Sequence, residues 1–351
     1  MTTSRPGLSG ADADFAPMEM RSVDAIPVGR HWQYEPKWDG FRALVHRDGD
    51  DVAIISKNGQ PLSRYFPEIV AALAAVERDH FSLDGELVVP RAGALSFDAL
   101  QQRIHPAASR VAMLARTTPA YYLVFDLLRE DGAALAGLPL HERRERLERF
   151  AVAFPDAGTL RLSPVTTDRA VVDGWFERVG GALDGVIAKR RDRPYTSGKT
   201  DAAVKIKKTR SADCVIGGFR YAAGSQDRVG SLLLGLYDAD GLLDYIGFCS
   251  AFAAPERVAL LERLRPYAGG TGFTGGAPDV APSRWSRDPD RDRAYVALRP
   301  ELVLEVAFDQ VTGGRIRQGT KPLRWRTDKS PRQCTLDQLE TAGSVLGLLE
   351  H

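Results

Sequence analysis

The sequence predicts an α+β chain in two parts, a mixed domain with antiparallel sheets followed by a small β-barrel. Three observations carry this expectation. At 351 residues and 44% hydrophobic content, the chain exceeds what one core usually organises, so two domains are expected. Up to residue 209, strand-like alternation and helical stripes follow one another. From residue 210 the texture becomes short apolar runs separated by glycine turns. Residues 1–20, with Gly, Ser, Ala and Asp, read as a flexible leader. The first domain is then 21–209 and the second 210–351.

The elements follow in order. Phe41, Ala43 and Val45 alternate, Asp48-Gly49-Asp50-Asp51 turns the chain, and Val52 to Ile55 returns. Lys37 lies in the loop feeding that hairpin. Pro67-Glu68 opens a helix with Ile69, Leu73 and Val76 on one stripe. Phe81 to Val89 is a strand carrying Asp84-Gly85-Glu86, and Ser96 caps a helix running to Ile104. Tyr121 to Leu128 is an apolar strand interrupted only by Asp126. Helices over 140–151 and 168–179 precede strands at 185–191 and 202–208. In the second part, strands are expected at Cys214–Tyr221, Ser231–Tyr237, Leu243–Cys249, Leu302–Phe308 and Lys321–Trp325, with a helix over Pro255–Arg265. Five strands with one intervening helix is the pattern of an OB-fold, a barrel that commonly faces nucleic acid. Gly269 to Asp292, rich in Gly, Pro, Asp and Arg, is a long loop.

Composition narrows the chemistry. Three distant cysteines, Cys214, Cys249 and Cys334, argue against a disulfide framework or zinc site and for a reducing cytoplasm. No stretch is apolar enough for a signal peptide or membrane span. Net charge is only +1, but its distribution is uneven. Lys189 to Arg210 holds nine basic against two acidic residues, and Arg315 to Arg332 seven against one. Both runs read as phosphate-binding surfaces. Of the 47 basic residues, 38 are arginine and nine lysine. Arginine cannot deprotonate to attack phosphorus and lysine can, so a retained lysine points to amine chemistry or point-charge phosphate binding.

The decisive string is Glu35-Pro36-Lys37-Trp38-Asp39-Gly40-Phe41-Arg42. Further along come Ser56-Lys57-Asn58-Gly59, Asp84-Gly85-Glu86, Val124-Phe125-Asp126, Asp184-Gly185-Val186-Ile187-Ala188-Lys189, Val204-Lys205-Ile206-Lys207 and Arg324-Trp325-Arg326-Thr327-Asp328-Lys329. Lys205 and Lys207, two positions apart, project to one strand face. Gly198-Lys199-Thr200 looks like the end of a P-loop, but Arg193 stands where the leading glycine is required.

In this order the motifs resemble those of the ATP-dependent DNA ligases, closest to the minimal bacterial ligase C type and to the ligase domain of bacterial end-joining proteins. The likeness runs from about Pro27 to Pro331. It departs at Lys57, where the family usually has arginine, and at Asp184, where it usually has glutamate. The resemblance implies a nucleotidyltransferase (adenylation) domain followed by an OB-fold domain. Lys37 would take AMP from ATP, with Asp39, Lys205 and Lys207 as the other catalytic residues. ATP would be bound by Glu35, Arg42, Lys57, Glu86, Phe125, Lys189, Lys205, Lys207, Arg326 and Lys329. Glu86 and Asp184 are the expected carboxylates for Mg²⁺ or Mn²⁺, although Glu86 could instead hold the ribose. Phe125 would stack on adenine, and Glu35 would read its exocyclic amine. Nicked duplex DNA is the expected partner, with repair polymerases beside it, for a monomer in the cytoplasm on the nucleoid. The OB-fold would swing about residues 208–213 between steps. A capping guanylyltransferase, an RNA ligase, and a non-enzymatic OB-fold nucleic-acid-binding protein are the alternatives.

Overall fold

The computed structural model of the chain describes residues 16–91, 93–154, 158–178, 183–207, 209–276, 278, 294–316, 320–340 and 346–348. It divides into two compact units, Met1–Lys208 with Thr341–His351, and Thr209–Glu340.

In the first unit the main strands are β1 (Met18–Ser22), β2 (Trp32–Pro36), β3 (Phe41–Asp48), β4 (Asp51–Ser56), β5 (His80–Val88), β6 (Tyr121–Glu130), β7 (Leu160–Leu162), β8 (Gly185–Arg190) and β9 (Gly198–Lys207). The helices are α1 (Pro67–Ala74), α2 (Phe97–Gln102), α3 (Ala108–Thr117), α4 (Leu140–Ala151) and α5 (Arg169–Arg178). Two sheets result, ordered β1-β9-β8-β2 and β7-β6-β5-β3-β4. Neighbours are antiparallel except β1 with β9 and β7 with β6, which run parallel.

Strand alternation sorts the side chains of both sheets into a core face and a polar face. Tyr34, Val186, Ala188, Val204 and Ile206 of the first sheet join Val88, Leu123, Val172 and Trp175 in one apolar cluster. Leu83 and Leu87 of β5 belong to a second cluster with Ile69, Leu73 and Phe150 of the helices. The residues between these apolar positions, Glu35, Ile187, Lys189 and Lys205 on one sheet and Glu86 on the other, line a common cavity. Asp126, the polar interruption of β6, forms a buried two-pronged ion pair with Arg143 of α4 at 2.8 and 2.9 Å. The Ser96 hydroxyl accepts from the Ala99 amide at 3.2 Å, capping α2 as its sequence position predicts.

The second unit contains β10 (Arg210–Tyr221), β11 (Val229–Tyr237), β12 (Leu243–Cys249), α6 (Ala254–Leu264), β13 (Val303–Phe308) and β14 (Lys321–Trp325). Its antiparallel order is β12-β11-β10-β13-β14, with Val296–Ala297 added to β10. Five main strands with a helix between the third and fourth is the OB-fold arrangement read from the sequence. Cys214, Cys249 and Cys334 are free and buried in this unit's core.

The structure corrects several sequence expectations. The predicted leader overlaps β1, because Met18 and Met20 alternate with polar residues and pair with Gly198 and Thr200. Its residues 1–15 lie outside the described residues. Gly198-Lys199-Thr200, the apparent P-loop end, is the start of β9. Strand β2 was hidden because Gln33, Tyr34, Glu35 and Pro36 are all buried, which erases alternation. Helix α3 has no side-chain cap and buries only Val111 and Leu114, too weak a stripe to register. Residues Arg210 to Asp213, expected to hinge, are already paired with β13; Lys208 lies outside the described residues. Of the Gly269–Asp292 loop, residues 277 and 279–292 also lie outside them.

Two motif glycines are fixed by close approach. A Cβ on Gly40 would sit 2.1 Å from the Leu87 carbonyl oxygen. Gly185 has φ +139°, and a Cβ there would sit 2.0 Å from the Ile206 carbonyl oxygen. Both contacts are with backbone, which cannot swing aside. Gly185→Ala is therefore expected to lower unfolding free energy by at least about 2 kcal/mol. Denaturant titration checks this, and an unchanged midpoint would show that β8 and β9 can separate without cost.

Candidate active site

Lys37 occupies the loop between β2 and β3, and backbone bonds fix it on both sides. Its amide donates to the Gly185 carbonyl at 2.9 Å, and the Asp184 amide donates to the Lys37 carbonyl at 3.2 Å. The Lys37 amine donates in turn to Asp184 Oδ2. The other Asp184 oxygen, Oδ1, is buried without a hydrogen-bond partner. Trp38, next in sequence, is buried and donates from its indole to Ser163 Oγ at 2.9 Å, which anchors the loop. Lys37 keeps 19% side-chain exposure and faces the cavity.

That cavity has a volume of about 320 Å³, within the size range of small-molecule sites. Lys37, Arg42, Lys57, Lys189 and Lys205 bring cations to it, and Glu19, Glu35 and Glu86 bring carboxylates. Phe125 supplies an aromatic wall. It is the unopposed residue of a β-bulge, since Gly85 pairs with Val124 and Asp84 with Asp126. Bulges re-aim side chains beside functional sites, and this one turns Phe125 out of the apolar run of β6. Lys189 Nζ lies 4.4 Å from its ring centroid and Arg42 Cζ 5.5 Å. Burial statistics alone would assign this phenylalanine to the core. The bulge explains why it lines the cavity instead.

The remaining residues fall in distinct places. Glu35 is buried, paired with Lys189 at 2.7 Å and accepting from Gln33 at 3.2 Å. Lys57 is half exposed, 3.5 Å from Glu19 of β1. Asp39 lies between Lys37 and Gly40 on the loop, close enough for its charge to act on Glu86. Lys205 lines the cavity, whereas Lys207, two residues on, is exposed and is absent from the lining. Burial and the neighbouring charges of Lys37, Lys207 and Lys57 hold the Lys205 ammonium below its ordinary range, against the pull of Asp184. Arg42, expected among the ATP ligands, has its guanidinium committed to Asp84 at 2.7 and 3.1 Å and to the Met18 carbonyl at 2.6 Å. Arg326 and Lys329 belong to the second unit. Arg326 donates to both oxygens of Asp213 at 2.8 and 2.9 Å, and Lys329 donates to the same carboxylate at 2.8 Å. The sequence reading missed Met18 and Met20 of the cavity wall, though their alternation in Met18-Glu19-Met20-Arg21 was the available signal. Among the described residues, no three His, Cys, Asp or Glu side chains cluster as a metal cage.

An amine anchored beside a carboxylate, an aromatic shelf and converging cations suit transfer of a nucleotide to lysine. The comparisons with known proteins agree. The profile of the ATP dependent DNA ligase domain matches residues 19–207, and that of the ATP dependent DNA ligase C terminal region matches residues 225–329. The chain belongs to the ATP-dependent DNA ligases.

The ligase is 47% identical over 320 residues to DNA ligase C1 of Mycolicibacterium smegmatis, covering 88% of this chain and 89% of that protein. It is 31% identical over 331 residues to the multifunctional non-homologous end joining protein LigD of the same organism, covering 91% of this chain and 39% of that longer one. A solved Lig E DNA ligase superposes with a TM-score of 0.55 at 16% identity, over 89% of this chain and 99% of that one, a likeness of fold. Family membership sets aside the capping-enzyme, RNA-ligase and non-enzymatic alternatives. Among the described residues, no helix of the ligase is long and apolar enough to cross a membrane.

Glu86 gives the site a pH signature. Burial pushes its carboxyl up to about 8, with Arg42 and Lys37 pulling the other way. A carboxyl raised on folding binds more protons in the native state than in the unfolded one between about pH 4.5 and 8, so native stability falls as pH rises through that window. The melting temperature of the ligand-free enzyme is expected to decline from pH 5 to 8 through this group, and Glu86→Gln should flatten that part of the decline. Parallel melting profiles for the two proteins would contradict it.

Proposed function

We propose that this ligase seals nicks in duplex DNA in three steps, with Lys37 as the nucleophile. The Lys37 amine attacks the α-phosphorus of ATP, a P–N bond forms, and pyrophosphate leaves. AMP then passes to the 5′-phosphate of the nick. The 3′-hydroxyl attacks that phosphate, the phosphodiester forms, and AMP departs. The observation that carries this reading is the Lys37–Asp184 pair at the edge of a cavity with Phe125 and Lys205 in its lining.

Phe125 stacks on adenine, and Glu35, held by Lys189, reads its exocyclic amine. Lys205 neutralises the α-phosphate from the cavity lining, Lys207 adds its charge from beyond that lining on the same strand face, and Lys57 stands at the cavity mouth. Catalysis of this kind is mostly positioning and charge stabilisation, which suits residues mounted on paired strands. Arg42, held by Asp84 and Met18 through three of its five donors, presents its remaining N–H groups to the nucleotide. Arg326 and Lys329 act on the departing phosphates in the first step, and Asp39 in the later two. Glu86, raised toward neutrality, is suited to hydrogen-bond the ribose. The adenylation domain is proposed to run to residue 209 with β1 as its first strand, and the OB-fold domain to span 210–351.

Mg²⁺ fits the donor set. The buried, partnerless Asp184 Oδ1 offers one hard oxygen, and Glu86, once its proton is displaced, would offer a second in place of the ribose contact; this ion takes few protein ligands beside substrate phosphates. It would supply charge neutralisation at the phosphates; Mn²⁺ offers the same chemistry. A monomer acting on nicked duplex DNA in the cytoplasm, at the nucleoid and beside repair polymerases, completes the reading.

Lys37→Arg keeps the charge and removes an amine able to deprotonate. Incubation with ATP labelled at the α-phosphate, followed by a denaturing gel, should show label on the wild-type chain and none on the variant. Joining of nicked DNA should be lost with it. Normal labelling of Lys37→Arg would end the assignment.

A further inference from the structure

One residue outside every motif closes a ring of hydrogen bonds behind the nucleotide cavity. Tyr195 lies between β8 and β9 and is 8% exposed. Its hydroxyl donates to Asp84 Oδ2 at 2.7 Å and accepts from the Met18 amide at 3.3 Å. Asp84 is fully buried and receives Arg42 through Nη2 and Nε, while Arg42 Nη1 donates to the Met18 carbonyl at 2.6 Å. The circuit therefore runs from the Met18 amide to Tyr195, Asp84 and Arg42, and back to the Met18 carbonyl. Burial raises the Tyr195 hydroxyl well above its ordinary range, so it remains a proton donor.

The anchor is itself fixed. The Tyr195 amide donates to the Ala136 carbonyl at 2.8 Å, and Arg143, locked on Asp126, lies 5.8 Å from the ring centroid. The dependent partner is β1, an edge strand with a register shift between Met20 and Arg21. An edge strand is paired on one side only and needs a further tie to keep its place. Yet Met18, Glu19 and Met20 form one wall of the cavity, and Glu19 meets Lys57 across its mouth.

We propose that Tyr195 is a positioning residue for ATP: by holding Met18 at its amide and fixing Asp84 against Arg42, it sets the position of the β1 wall and so the affinity of the cavity for the nucleotide. It touches neither the nucleotide nor the reacting atoms. This rests on the reading that the cavity takes ATP.

Tyr195→Phe deletes only the hydroxyl. In single-turnover self-adenylation of the full chain, the ATP concentration for half-maximal rate should rise about three- to tenfold, the size of one lost hydrogen bond. The maximal rate should stay within about twofold. Sealing of a nick already carrying 5′-AMP should match the wild type, and amide exchange at residues 18–20 should accelerate. Tyr195→Met removes the same hydroxyl with an adaptable side chain that fills much of the ring's space, and should give the same shift should Tyr195→Phe fail to fold. An unchanged half-saturating ATP concentration in the folded variant, or equal losses in adenylation and sealing, would overturn the proposal. Failure of the wild type to adenylate would instead overturn the reading of the cavity.

Discussion

The site depends on one constraint, the seating of Lys37 against Asp184. Two reciprocal backbone bonds hold the loop of one residue to the strand entry of the other, and the side chains then meet. This seating requires Gly185 in a backbone conformation that places it against the Ile206 carbonyl. It also requires Trp38 to be anchored on Ser163. The nucleophile therefore sits on a short loop with both flanks fixed, a cheaper arrangement at the moment of reaction than a mobile side chain that must be ordered by substrate.

The rest of the chemistry follows from sheet geometry. Apolar residues at alternate positions of β2, β8 and β9 commit one face to the core, and Glu35, Lys189 and Lys205 are carried to the other by the same alternation. The second sheet does likewise with Glu86. Phe125 escapes this rule only through the bulge in β6. Charges in the cavity are matched in pairs, Glu35 with Lys189, Lys37 with Asp184 and Arg42 with Asp84. Such pairing lowers the penalty of burying so many ionised groups before a nucleotide arrives.

Much of this was legible in the sequence because the motifs are local and the hairpin, caps and barrel strands obey period-two and turn rules. Lys37, Glu35, Arg42, Lys57, Glu86, Phe125, Lys189 and Lys205, grouped in the sequence by the resemblance of their motifs, come together in one cavity. What the sequence hid is long-range. Strand β2 is buried on both faces, so alternation does not mark it. The parallel pairing of β1 with β9 joins residues about 180 positions apart. Nothing local shows that Arg42, read as a nucleotide ligand, is also held by Asp84 and the Met18 carbonyl. Lys207 shares a strand face with Lys205 but stands beyond the cavity lining, since period-two reasoning gives direction and not reach. Asp213, the carboxylate that gathers Arg326 and Lys329, is more than a hundred positions from both and gave no signal at all.

The account stands on one nitrogen carrying the nucleotide. Incubating the wild-type chain with ATP, digesting it and locating the added AMP by mass spectrometry tests that directly. The expected result is a single acid-labile adenylate on the peptide containing Lys37, lost on mild acid treatment as a phosphoramidate should be. AMP on another side chain, or joining of nicked DNA with no adenylated protein at any time, would contradict it.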